Sequence, residues 1–273
     1  MPKATQMRKN KFVLFLSLTL LVAPFLFGCD FTPRLYKEIL IAQQFIQQQK
    51  YDKAIIKYEQ ILKQNPPAMV KIKIYYQIGE LYSTYMANHP RALHYFDLIK
   101  KSTEDPLWLV KSEEKVAEIN FTYLQDYRAS IKSYVTLANF LPKLDKQDFY
   151  EYRLAVSYLN LGLTNKAVEM FKKISTDRTH EFNAQAYYQL GIIYFQEKKW
   201  QKAIDLWQEY TKREKRKDNI IAVKFLMANA YETMEELEKA YNLYYSILGE
   251  YPNTEVIQSR LNSIYNRKIA RKR

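Results

Sequence analysis

An internal repeat of 36 to 38 residues constrains this chain more than any other feature. Each unit is anchored on a small residue, first Ala54 in the run YDKAIIKYEQIL, with an aromatic residue four positions later and a large apolar or aromatic residue seven positions later. The spacing 0, +4, +7 places the three side chains on one face of an α-helix. The anchors are Ala54, Ala92, Ser130, Ala167, Ala203 and Ala240; the aromatics are Tyr58, Phe96, Tyr134, Phe171, Trp207 and Tyr244; the third positions are Ile61, Ile99, Leu137, Ile174, Tyr210 and Ile247.

A second predicted helix precedes each anchor. About 12 residues upstream lies another small residue in most units, from Ala42 to Ala228, and an aromatic residue follows it by three positions. In the third unit Glu118 occupies this position and Ala117 lies beside it. Each unit therefore predicts a helix A, a tight turn and a helix B, with small residues where the helices cross and aromatic residues beside the crossing. We expect Gly191 to face helix B of its own unit, near Ala203.

The pattern resembles the tetratricopeptide (TPR) repeat over residues 35–252, although the units are slightly longer than the usual ~34 residues. The resemblance implies an all-α fold, a right-handed TPR superhelix (α-solenoid) of about six helix hairpins. Residues 253–273 are predicted to form a C-terminal capping helix and basic tail. The basic end, which includes Arg267 and Arg271, is consistent with a solvated tail or with a contact to lipid or an acidic partner.

Cys29 is the only cysteine, and it directly follows an apolar stretch over residues 12–27 and a glycine. Basic residues without acidic ones precede that stretch, as in a secretory signal peptide. The segment Leu26, Phe27, Gly28 and Cys29 resembles the bacterial lipoprotein signal, the lipobox. This resemblance implies removal of residues 1–28, lipidation of Cys29 and a short tether over 29–34. Two alternatives are an ordinary signal peptide and an uncleaved membrane anchor, although a span needs about 20 apolar residues.

No catalytic or metal-binding motif is present in the sequence. His180 and Glu181 begin like a zinc-protease motif, but Ala184 stands where the second histidine belongs. No glycine-rich phosphate loop occurs either. We therefore predict a protein that is not an enzyme, with no cofactor, metal or small-molecule substrate. The formal charge is +13, yet an exported protein meets little nucleic acid, so anionic lipid headgroups or acidic proteins are better partners.

The TPR resemblance also implies a concave face lined by the A helices. Large apolar side chains on such a face predict a groove that binds protein partners. The alternative is that packing between repeats buries them. The predicted groove residues are Tyr76, Tyr152, Tyr188, Ile192, Phe195 and Phe225.

The lipobox, a mature chain made of TPR units and the lack of a catalytic motif resemble the BamD family, the TPR lipoprotein of the outer-membrane barrel-assembly machinery. Six units, where that family typically has five, and the basic charge depart from it. The resemblance implies a lipid-anchored adaptor that faces the periplasm and assembles envelope proteins. It favours the outer membrane, whereas Asp30 resembles an enterobacterial inner-membrane retention signal. Alternatives are a TPR lipoprotein of a pilus secretin, motility or cell-wall synthesis complex, and a cell-wall enzyme with a helical solenoid.

Overall fold

The computed structural model describes residues 33–271. This range contains 13 α-helices and no β-strand. The chain divides into two compact units, one ending at Ala87 and the other beginning at Asn88. The predicted signal segment, with Leu26, Phe27, Gly28 and Cys29, lies outside the described residues. No helix among residues 33–271 has both the length and the apolar character needed to cross a bilayer.

The first unit contains three helices: α1 (Arg34–Gln47), α2 (Tyr51–Lys63) and α3 (Ala68–Thr84). Helices α1 and α2 pack as a hairpin across the three-residue turn 48–50. Ala42 on α1 and Ala54 on α2 are fully buried, as the repeat predicts. Glu38 of α1 is also buried, and its carboxylate accepts hydrogen bonds from Gln64, Lys57 and Arg34, which together lower its pKa.

The second unit begins with α4 (His89–Ser102), continues through four hairpins and ends with one further helix. Successive helices along the chain pack on one another, which is the arrangement of an α-solenoid and confirms the predicted fold class. The hairpins are α5 (Pro106–Glu118) with α6 (Tyr127–Ala138), α7 (Gln147–Asn160) with α8 (Thr164–Thr176), α9 (Asn183–Gln196) with α10 (Trp200–Thr211), and α11 (Lys217–Thr233) with α12 (Leu237–Tyr245); the last helix is α13 (Thr254–Ala270).

The repeat positions form the core of both units. None of the small anchors, the aromatic residues at +4 or the residues at +7 is more than 5 % exposed. Burial of one such aromatic side chain contributes on the order of 2 kcal/mol through the hydrophobic effect. The periodic pattern therefore identifies the packing face of every helix B correctly.

In the third repeat, a different backbone conformation places the small residue at the helix crossing. A π-helical turn, Ile119–Tyr123, follows α5 and holds one residue more than α-helical geometry would. Ala117 is fully buried, although it precedes Ser130 by 13 positions. Glu118, the residue in register by counting, keeps a side chain that is 53 % exposed. The π turn therefore accommodates the additional residue between Ala117 and Ser130.

Helix α13 packs on the last hairpin through Ile257, Leu261 and Ile264, all of them buried. Its basic end pairs with the acidic residues around the turn between α11 and α12. Arg267 contacts Glu232 at 3.1 Å and also Glu235; Lys268 pairs with Glu238, and Arg271 with Glu235.

Candidate functional site

Two adjoining clefts lie in the second unit. We call the first, of about 500 Å³, the aromatic cleft. We call the second, of about 610 Å³, the basic cleft. Glu181 lines both, so the clefts meet at this residue. The aromatic cleft is lined by Glu114, Lys115, Glu118, Thr122, Tyr134, Lys146, Phe149, Tyr150, Arg153, Glu181 and Phe182, and the basic cleft by Arg178, Glu181, Asn183, Ala184, Glu209, Lys212 and Arg213.

Helix α7 supplies one wall of the aromatic cleft, because Phe149 and Arg153 are four residues apart and share a helix face. Phe182, directly before α9, supplies another part. Its position is fixed by the loop, in which its own N–H donates to Nδ1 of His180 at 3.1 Å. The side-chain amide of Asn183 donates to three carbonyls at the end of α8 and just after it, at 2.7 to 3.2 Å. These bonds satisfy orphan carbonyls of α8 and tie the start of α9 to them.

Arg153 is the distinctive side chain of the aromatic cleft. Its guanidinium carbon lies 4.4 Å from the ring centre of Phe121 and 5.1 Å from that of Phe149. Such contacts are cation–π interactions. Among residues 33–271, no carboxylate lies within 4.0 Å of this guanidinium, and none of its N–H groups donates a hydrogen bond. Its field reaches the cleft wall: burial raises the pKa of Tyr134 to about 12, while the charge of Arg153 opposes that rise.

The other cations of the aromatic cleft are paired. Lys146 donates to Glu114 at 3.2 Å, and Lys115 contacts Glu118 at 3.5 Å. The Tyr150 hydroxyl also donates to Glu114. Burial and that hydrogen bond both raise the pKa of Tyr150, so the tyrosine stays neutral.

The basic cleft combines paired and unpaired charges. Lys212 and Arg213 both contact Glu209, at 2.5 and 2.6 Å, and these contacts lower the pKa of Glu209. Arg178 has no carboxylate within 4.0 Å among the described residues. Counting Glu181 once, six basic and four acidic residues line the two clefts, so their combined lining is net positive.

The loop between α8 and α9 contains a buried histidine. His180 is 7 % exposed, with Nδ1 4.0 Å from Asp148 and Nε2 3.9 Å from Glu151. Burial disfavours the charge of Asp148, but the N–H of Glu181, the nearby His180 and Lys143 together lower its pKa. Within residues 33–271 no three His, Cys, Asp or Glu side chains group closely enough to hold a metal ion. The net positive lining and the aromatic rings make the two clefts suited to binding an anionic group beside apolar surface.

The six predicted groove residues are all partly buried, and none lines either cleft. Tyr152 stacks on Phe182 at 4.8 Å, next to the aromatic cleft. Three of the others contact aromatic residues of their own repeat: Tyr188 contacts Tyr210, Phe195 contacts Trp200 and Trp207, and Phe225 contacts Tyr251. Ile192 packs against the core cluster of the fourth to sixth repeats, and Tyr76 lies on α3. Their role in a binding groove stays a prediction.

Sequence reasoning did not identify Arg153 or Phe182. The four-residue spacing of Phe149 and Arg153 was an available signal. Phe121, the second ring against the guanidinium, comes from another repeat, and spacing along the chain does not indicate which rings meet across repeats.

Two family models match parts of the chain. One is described as a tetratricopeptide repeat and matches residues 150–177; the other is described as a domain of unknown function (DUF6340) and matches residues 189–268. No curated protein matches the chain.

Several solved structures are similar over most of the chain. PilW, a widely conserved type IV pilus biogenesis factor, has 16 % identity and a TM-score of 0.51, covering 84 % of this chain and 99 % of PilW. A signal transduction ATPase with a TPR sensor, from Pyrococcus horikoshii, has 18 % identity and a TM-score of 0.59, covering 86 % of this chain and 39 % of the ATPase. The quorum sensor NprR from B. thuringiensis has 18 % identity and a TM-score of 0.54, covering 94 % and 76 %. At these identities the likeness shows the fold alone. The chain therefore has an α-solenoid fold and contains a match to the tetratricopeptide repeat at residues 150–177.

Proposed function

We propose that this protein is a lipid-anchored adaptor of the bacterial cell envelope that holds protein partners on its TPR solenoid. The single observation that carries the proposal is the pair of adjoining clefts in the second unit, which present aromatic surface and an unpaired guanidinium to solvent. Open apolar surface of this kind typically marks a protein-binding site. The lipobox resemblance at Cys29 supports the anchor and the periplasmic location.

The anchor is tested by Cys29→Ala. Only the thiol can take the lipid, and acyl chains contribute about 0.8 kcal/mol of membrane binding per buried methylene. Metabolic labelling with a clickable fatty acid should label the wild-type protein and a Ser17→Ala control but not Cys29→Ala. Equal labelling of all three proteins would contradict the lipoprotein assignment. Fractionation of the labelled cells then distinguishes the outer membrane, which we favour, from the inner membrane.

The adaptor role is tested by crosslinking in living cells and purification through a C-terminal tag. We expect envelope proteins to co-purify with the wild type and to be depleted with Cys29→Ala, which lacks the tether. A peptidoglycan-digestion assay on the purified protein addresses the alternative of a cell-wall enzyme; we expect no activity.

A second candidate is an adaptor of pilus biogenesis, because 99 % of PilW is covered by the structural similarity. The two pathways separate in a deletion strain. Loss of surface pili with normal levels of outer-membrane barrel proteins would favour the pilus role. The reverse would favour barrel assembly, as the BamD resemblance implies.

A further inference from the structure

We infer that the aromatic and basic clefts together bind an extended segment of a partner protein in which acidic side chains alternate with apolar ones. The inference rests on the proposed adaptor function and assigns its partner-binding site.

Arg153 is the anchor for an acidic side chain. Phe121 and Phe149 contact the guanidinium at 4.4 and 5.1 Å and hold it at the cleft wall. A planar guanidinium with free N–H donors fits a carboxylate through two parallel hydrogen bonds. The neighbouring cations, Lys115 and Lys146, already have carboxylate partners. Arg153 is therefore the group in this cleft that gains most from an incoming anion.

Aromatic surface adjoins this anchor. Phe149 and Phe182 have ring centres 6.1 Å apart and both line the aromatic cleft. Because aromatic surface is stabilised when an apolar side chain covers it, we assign the position beside the acidic residue to an aliphatic or aromatic side chain.

The basic cleft extends the site past Glu181. Arg178 supplies a second unpaired guanidinium there, and Glu209 neutralises only part of the charge of Lys212 and Arg213. The net positive lining of the two clefts complements an acidic segment and would accelerate its association. A segment long enough to pass both clefts therefore places one acidic residue against each unpaired arginine.

The experiment uses two pools of fluorescein-labelled octapeptides and the full-length chain in mild detergent. In one pool Asp or Glu alternates with Phe, Leu or Ile; in the matched pool Asn or Gln replaces every acid. We expect the acidic pool to bind about tenfold more tightly by fluorescence anisotropy, as charge-assisted hydrogen bonds do relative to neutral ones. Absence of binding, or equal affinity for the two pools, overturns the inference.

Variants locate the binding. Arg153→Gln should reduce the affinity for the acidic pool to near that for the amide pool, and Arg153→Lys should restore only part of it, since an ammonium cannot bind a carboxylate bidentately. Arg178→Gln, at an exposed position, should weaken binding about threefold by loss of one surface cation. Arg128→Gln, exposed on α6 and outside both clefts, is the matched control and should bind like the wild type. Unchanged binding by folded Arg153→Gln and Arg178→Gln overturns the assignment of the site.

Failure of the site is distinguishable from failure of the adaptor function. If envelope partners co-purify equally with the wild type and Arg153→Gln, the adaptor function stands and the clefts are not its site. If no partner co-purifies with the wild type, the adaptor function itself fails, whatever the peptides show.

Discussion

The third and fifth repeats reach the same helix crossing by different means. In the fifth, Gly191 on α9 faces Trp207 on α10, so closely that an added Cβ would lie 2.2 Å from Nε1 of the indole. That indole nitrogen donates to the carbonyl of Tyr188 at 3.3 Å. In the third, Ala117 reaches the crossing through a π turn. The comparison shows that the repeat specifies a small side chain at the crossing but leaves the backbone that delivers it free to vary.

The two repeats also differ in polarity. The fifth anchor, Ala203, belongs to the apolar core cluster that contains Trp207. The third anchor, Ser130, is fully buried, and its hydroxyl lies 3.1 Å from that of Ser157 and 3.1 Å from the Tyr127 carbonyl, to which it donates. A buried hydroxyl is tolerated at this position because its hydrogen bonds are made.

The largest expected difference in stability between the two repeats comes from single-residue deletions. In each repeat the deleted residue lies five positions after the small residue, Gly191 or Ala117. Deleting Gln196 shortens the interval between Gly191 and Ala203 to 11 residues, outside the pattern, and should cost more than about 3 kcal/mol, the cost of losing a buried aromatic residue. Deleting Thr122 from the π turn restores the usual 12 and should cost about 1 kcal/mol or less, as a surface change does. Urea unfolding followed by circular dichroism measures both; equal losses would show that the π turn is not what accommodates the extra residue.

The next largest effect concerns the Gly191–Trp207 contact. The structure shows that the residue of helix B nearest to Gly191 is Trp207. Gly191→Ala should cost about 1–3 kcal/mol by overpacking, and Gly191→Leu more, against a helix-propensity gain of under about 1 kcal/mol. In the third repeat, Ala117→Gly should cost only about 1 kcal/mol, the propensity difference. A melting temperature of Gly191→Leu above that of the wild type would refute the crossing geometry.

A smaller, pH-dependent effect is expected at the end of the fifth repeat. Glu214 accepts the backbone N–H of Arg216 and side-chain hydrogen bonds from Asn219 and Tyr210, which lower its pKa to about 2. A carboxylate whose pKa falls on folding contributes stability above its unfolded pKa, here about 4.5, and loses it as the pH falls toward 2. Glu214→Gln should therefore cost about 1 kcal/mol at pH 7 and progressively less below pH 4.5. Urea midpoints at several pH values test this; a constant difference would contradict it.

The smallest effect is expected at the buried serines. Ser130→Ala should cost about 0.5 kcal/mol, because Ser157 keeps its own bond to the Arg153 carbonyl at 2.8 Å. Replacing both serines by alanine should be nearly neutral, since no buried hydroxyl is then left without a partner. Urea unfolding of the single and double variants checks this. A loss above about 2 kcal/mol in the double variant would mean that the serine pair stabilises the third repeat in a way the apolar fifth repeat does not need.

The fold was predictable because its information is local. The positions 0, +4 and +7 share a helix face whatever the rest of the chain does, so Tyr58 and Trp207 could be assigned to the core from spacing alone. The π turn could not be predicted, because counting residues does not show where an extra residue is accommodated. In the structure, the side chain of Asn120 donates to the Val116 carbonyl at 2.9 Å at that turn.

The candidate site was less predictable, because it depends on groups from separate repeats. Phe121 and Arg153 meet across 32 positions of sequence. Whether an arginine is paired depends on which carboxylates reach it in three dimensions, and periodicity carries no such information. The predicted groove residues were chosen by helix face, and their contacts with Trp207, Tyr210 and Phe182 could be read only from the structure.

The ion pairs of α13 reduce the contribution of its basic residues to the electrostatic potential far from the protein. Arg267, Lys268 and Arg271 contribute to the formal +13, yet each lies against Glu232, Glu235 or Glu238. Beyond a Debye length, about 8 Å at physiological salt, such a pair acts as a small dipole whose potential is nearly extinguished. An anionic surface that approaches these three residues therefore meets ion pairs and not free cations. Cations such as Arg153 and Arg178, which have no carboxylate within 4.0 Å among residues 33–271, contribute more to the long-range field.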